Sequence, residues 1–140
     1  MSPPLRFITC HKHPVSGRLR FVRFAAGDIC GVEPLPKLSV LAGRGELAVA
    51  VHPASALKRL AASLDMPESW LSIQGEFRLH LEVPHQHAPG GLLPVYLAAV
   101  AGYELPLLPR GNTWLELPDS FALPYLQREI LRAAYEYLMG

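Results

Sequence analysis

From Glu76 to Val83 the chain alternates without a fault: Phe77, Leu79, Leu81 and Val83 are apolar, while Glu76, Arg78, His80 and Glu82 are polar. A period of two belongs to an extended strand with one face in a core and the other in water. The spacing predicts a strand over Gln74 to Val83 and therefore a sheet. Fourteen prolines and eleven glycines cut the remaining sequence into short pieces, which favours strands joined by turns over a helical bundle.

The other elements follow from the same reasoning. Leu5 to Cys10 and Arg18 to Phe24 read as strands separated by a loop holding Pro14, Ser16 and Gly17. Ala26 to Leu38 reads as an irregular connection. Gly43-Arg44-Gly45 reads as a hairpin turn opening a strand through Leu47, Val49 and Val51. Pro53 suits a first helical turn, and Leu57, Leu60, Ala61 and Leu64 fall on one helical face until Asp65-Met66-Pro67 stops the helix. Val95 to Val100 is apolar on both faces, as a central strand covered on both sides must be. After a proline-rich loop over Leu105 to Asn112, Thr113 to Leu117 reads as a short strand. A last helix follows, with Leu123, Leu126, Ile130, Ala133 and Tyr137 as its buried stripe. The expected fold is α+β: a single domain with a mixed or mostly antiparallel sheet packed with helices near 54–65 and 123–139.

Composition limits the function. At 140 residues with 50% hydrophobic positions, the chain has the size and apolar content of one ordinary domain. A formal charge of +1 with 18% charged residues argues against a bulk electrostatic grip on nucleic acid. The first 25 residues nevertheless hold Arg6, Lys12, Arg18, Arg20 and Arg23 with no acid, so a local basic patch is compatible with the sequence. Cys10 and Cys30 are too few for a disulfide framework and are expected to be reduced thiols. The stretch Met1 to Arg6 lacks the pattern of a secretory signal. The apolar run Leu92 to Ala101, interrupted by Pro94, is half the roughly 20 residues of a membrane helix. A soluble cytoplasmic chain without membrane contact is the expectation.

Two clusters carry candidate chemistry. His80, Glu82, His85 and His87 are of the imidazole and carboxylate types that zinc and similar ions take. On a regular strand His80 and Glu82 point to one face and His85 and His87 to the other, so convergence requires a bend at Pro84. Arg18, Arg20 and Arg23 interleave with Phe21 and Phe24 as a small platform for a phosphate or base, with Arg18 and Arg20 on one face and Arg23 on the other. A second metal set, Cys10, His11, His13 and Cys30, lacks the two paired spacings of a strong zinc signature. Nucleophilic chemistry at Cys10 or Cys30 needs a base within hydrogen-bond reach, and the sequence does not direct the adjacent His11 toward Cys10. Trp114, Tyr96 and Tyr103 read as core aromatics. No nucleophile elbow, Walker loop or dinucleotide glycine fingerprint appears.

The order of elements from Glu46 onward resembles the Nudix superfamily scaffold. The likeness is clearest in Leu93-Pro94-Val95-Tyr96-Leu97-Ala98, then Thr113-Trp114-Leu115-Glu116-Leu117, then Leu126 to Leu138. In that family a helix carries an Arg-Glu followed by a Glu-Glu pair, whose carboxylates hold magnesium against a diphosphate. The corresponding helix here, Ser55 to Asp65, has no glutamate, and magnesium requires hard oxygen ligands. The resemblance therefore implies the scaffold and transfers no catalytic residue.

The leading expectation is a non-catalytic module that binds an unidentified protein or small ligand, because a well-patterned core comes without a complete reactive constellation. The alternative is a metal-dependent hydrolase of nucleotide-like substrates using His80, Glu82, His85 and His87. A lower alternative is a nucleic-acid accessory role for Arg18, Arg20 and Arg23. No cofactor is expected beyond a divalent metal under the second reading. Oligomeric state is open, with Tyr135 and Leu138 offering a small apolar patch.

Overall fold

The structure is a computed structural model and describes residues 5–25, 28–31, 33–44 and 53–140. Its sheet contains β1 (Arg6–Lys12), β2 (Leu19–Arg23), β3 (Val40–Arg44), β4 (Leu71–Ile73), β5 (Leu79–Glu82), β6 (Leu92–Val100) and β7 (Thr113–Leu115). The order is β3-β5-β6-β1-β2-β7, with β4 also on β6. β1 runs parallel to β6, and the other pairs are antiparallel. The sheet is thus mixed, and the chain is α+β as its patterning implies.

Helix α1 (Ala54–Ser63) and helix α2 (Tyr125–Met139) cover opposite faces. On one side Ile8, Cys10, Phe21, Leu79, Leu81, Val95 and Leu97 pack with Ile130, Leu131 and Ala134 of α2. On the other, Phe7, Val22, Phe24, Ala98 and Val100 pack with Leu57, Leu60 and Ala61 of α1. Strand alternation produces both cores from the same strands, and β6 is the shared centre expected of a run apolar on both faces.

α1 starts at Pro53 and ends in a Schellman arrangement. Asp65 takes the left-handed conformation at φ 53°, and Met66 N–H donates to Ala61 O at 3.1 Å. α2 starts at Tyr125 rather than 123. Pro124 stands at its N-cap and holds Leu123 extended at ψ 153°. The buried face of α2 is Ile130, Leu131, Ala133 and Ala134, slightly rotated from the expected stripe. Tyr135 and Leu138 are half-buried and pack against the core.

Three further expectations are corrected or left aside. The strand expected over 74–83 is shortened to β5, because the chain turns at Gly75 and Glu76, with Phe77 N–H donating to Gln74 O at 3.0 Å. The alternation survives the break, and Phe77, Leu79, Leu81 and Val83 are all buried. Gly43 and Arg44 belong to edge strand β3 instead of a turn, with a register irregularity between Leu41 and Gly43. The strand expected through Leu47, Val49 and Val51 lies outside the described residues.

Candidate functional site

Because Leu79 and Leu81 point into the α2-side core, alternation turns His80 and Glu82 toward the side on which α1 packs. His80 pairs with Gly43 and Pro94 across its two neighbouring strands. Its ring lies over Gly43, where an added Cβ would stand 3.9 Å away. His80 Nδ1 is buried without a hydrogen-bond partner, and Glu82 is exposed. Beyond Pro84 the chain turns, and His87 N–H donates to Pro84 O at 2.9 Å. His85 folds against Gly91, its ring 3.4 Å from the position of a glycine Cβ there. His87 is exposed in the same turn. Among the described residues no three His, Cys, Asp or Glu side chains come together to hold an ion. The four residues therefore supply one strand pair, His80 with Glu82, and two turn histidines with different local surroundings.

The second metal set separates for the reason its parity implies. Cys10 points into the α2-side core, while neighbouring His11 faces the α1 side. His13 Nδ1 accepts the N–H groups of Val15 and Ser16, each at 3.1 Å, and so caps its own turn. Burial pushes the Cys10 thiol up to about 12. Burial, assisted by the Asp28 carboxylate, raises Cys30 well above the usual thiol range. Neither cysteine supplies a thiolate near neutral pH.

Arg18 and Arg20 meet on one carboxylate. Arg18 Nε donates to Glu116 Oε1 at 2.8 Å and its Nη2 bonds the same oxygen. Arg20 Nε lies 3.3 Å from it. Glu116 also closes a capping box with Asp119 at the 3₁₀ turn 117–122. Arg23 is a half-buried β2 residue on the opposite face. The pair therefore joins β2 to the end of β7 through a shared acid.

Reasoning from the sequence did not single out Thr9 or Asp28 and took His11 only as a member of a metal set; the structure buries all three. Asp28 is 2% exposed. It accepts N–H bonds from Cys30 at 2.6 Å and Leu35 at 2.7 Å. Desolvation raises its carboxyl above the usual range, opposed by those bonds and by the Arg6 charge. An aspartate seven residues before its partner carried no motif that could have marked it.

The helix that would hold magnesium in a Nudix scaffold is α1. Its described residues, Ala54 to Ser63, include no carboxylate, and its charged side chains are Lys58 and Arg59. Asp65, just beyond it, is occupied as the left-handed stop of the helix. The residues present do not fit a magnesium ion at that helix.

No family model matches the sequence, and no curated protein matches it in sequence. Among solved structures, an Ap4A hydrolase of C. elegans is similar over 99% of this chain and 98% of its own, at 15% identity and a TM-score of 0.57. A binary complex of a C. elegans Ap4A hydrolase is similar over 96% of both chains, at 13% identity and the same TM-score of 0.57. This likeness of fold covers the chain almost end to end, beyond the two thirds from Glu46 onward over which the sequence pattern carries its resemblance. This likeness corrects the expectation of a non-catalytic binding module, since the neighbours matched end to end are hydrolases. It favours the alternative drawn from the same sequence, a hydrolase of nucleotide-like substrates.

Proposed function

We propose that this chain hydrolyses the phosphoanhydride bonds of nucleotide-like substrates. The observation that carries the reading is the end-to-end likeness to Ap4A hydrolases, in which both chains are covered almost completely. Fold alone does not specify chemistry, so the assignment of residues rests on the strand pair His80 and Glu82.

These side chains stand two residues apart on the α1 side of β5, one with an unpartnered ring nitrogen and one exposed to water. The step assigned to Glu82 is general-base catalysis. Water gives a proton to the carboxylate as its oxygen bonds to phosphorus, and the bridging P–O bond breaks with its electron pair on the departing phosphate. The role assigned to His80 is to orient that water. No step runs through a metal, because α1 offers no carboxylate to hold one.

The test is incubation with Ap4A, the compound for which the neighbours are named, in EDTA and separately with magnesium or manganese. Products are resolved by anion exchange. Conversion to smaller nucleotides is the expected result, with a loss of at least about a hundredfold in Glu82→Gln. No conversion under any condition overturns the reading. Conversion that Glu82→Gln leaves intact removes the base from Glu82 while the hydrolase stands.

A further inference from the structure

Two guanidiniums share one acid at the start of β2. Leu19 and Phe21 point into the α2-side core, so alternation turns Arg18 and Arg20 to the α1 side. Arg18 reaches Glu116 Oε1 through Nε and Nη2, and Arg20 Nε lies 3.3 Å from the same oxygen. Asp119, the other acid of the capping box, spends Oδ2 on the N–H of Glu116 at 3.2 Å and pairs with neither arginine. One carboxylate therefore faces two positive charges, and its contacts leave one of them uncompensated.

The unused donors of this pair face water. Among the described residues, Nη1 of Arg18 and both Nη groups of Arg20 have no partner, and none of them is buried. The Arg20 side chain is only 19% exposed, so its stem is fixed on the sheet, whereas that of Arg18 is 58% exposed. Glu116, itself fixed by its capping box, holds both guanidiniums by their Nε groups. Planar forks held in this way are preorganised for an oxyanion.

The residual charge and the open donors select the ligand. A phosphate monoester brings a charge of about −1.5 to −2 at neutral pH and three strong acceptor oxygens, enough for two forks at once. We propose that Arg18 and Arg20 form a phosphate site on the α1 side of β2, with their free Nη groups on the phosphate and Glu116 keeping the arginines in place. β1 and β6 lie between β2 and β5, so this phosphate is not the one attacked at Glu82. The site stands independently of the hydrolase reading.

Calorimetric titration of the full chain at low ionic strength is the test, with inorganic phosphate and AMP as separate probes. Saturable binding of either is expected, and the tighter of the two names the source of the phosphate. Arg20→Gln is expected to weaken binding at least about tenfold, the loss of one charge-assisted contact. Arg18→Gln, at a more exposed position, should act in the same direction and serves if Arg20→Gln fails to fold. Glu116→Gln keeps an oxygen for the arginines and removes the opposing charge, so it should bind more tightly than the wild type. A purely structural ion pair predicts no such gain. No saturable binding by the wild type, affinity unchanged in both arginine variants, or weaker binding in Glu116→Gln overturns the site.

Discussion

Asp28 uses both carboxylate oxygens to hold the turn that carries Cys30 and Leu35, in a place that water scarcely reaches. Asparagine in its place keeps one acceptor but presents an amide donor to one of the two N–H groups. Asp28→Asn is therefore expected to lose about 1–3 kcal/mol, the usual cost of a buried donor left unpaired. The pH dependence has a definite sign. Because the folded pKa is raised above the ordinary 3.8, the native state binds the proton more tightly than the unfolded chain. Its stabilising contribution is complete below that ordinary value and declines as pH rises through the raised one. Urea midpoints of wild type and variant should converge as pH rises across that window, and divergence would contradict the assignment. Such a residue was not legible in the sequence, because its partners are backbone N–H groups, which no side-chain pattern records. His80 and Glu82 were legible because strict alternation places them on one face whatever the fold around them.

At the scale of elements, the sequence declared those strands and helices whose partners lie on a continuous apolar face. β6 was readable because both of its faces are buried, and α1 because Leu57, Leu60 and Ala61 recur at helical spacing. β3 was not, since a glycine on an edge strand looks like a turn until its neighbour β5 is known. The break between β4 and β5 was hidden because alternation continues across Gly75. The turn that leads from β5 into β6 yields a prediction of its own. Gly90 and Gly91 both have φ +71°, but a Cβ at Gly90 meets nothing within 4 Å, while one at Gly91 comes 3.1 Å from Val83 O and 3.4 Å from the His85 ring. Gly90→Ala should cost only the left-handed strain, about 1–2 kcal/mol. Gly91→Ala should cost more, since it also strains the Val83 N–H bond to Gly91 O, 2.8 Å long. Chemical denaturation of the two variants checks the order, and equal losses would mean that the turn relaxes freely around residue 91.

The molecule as a whole places one sheet between two helices, and its two cores share strands rather than lying in separate bodies. β1 sends Ile8 and Cys10 to one core and Phe7 to the other, while β6 divides Val95 and Leu97 from Ala98 and Val100. The order of elements carried this architecture in the sequence. The proposed reaction was less legible, because α1 carries none of the carboxylates that the corresponding helix of the resembled scaffold uses. Shared strands have a thermodynamic consequence, since neither core can dissolve while the strands that also form the other stay in place. Leu60→Ala in the α1-side core and Ile130→Ala in the α2-side core should each cost about 2–5 kcal/mol, the range for large-to-small changes at buried positions. Leu60 is 7% exposed and Ile130 0% exposed, which places the larger loss at Ile130. Both variants should unfold in one transition, with tryptophan fluorescence from Trp70 and Trp114 coinciding with far-ultraviolet circular dichroism. Two separated transitions, one moved only by Leu60→Ala and the other only by Ile130→Ala, would show that the faces fold independently and that the chain is not one domain.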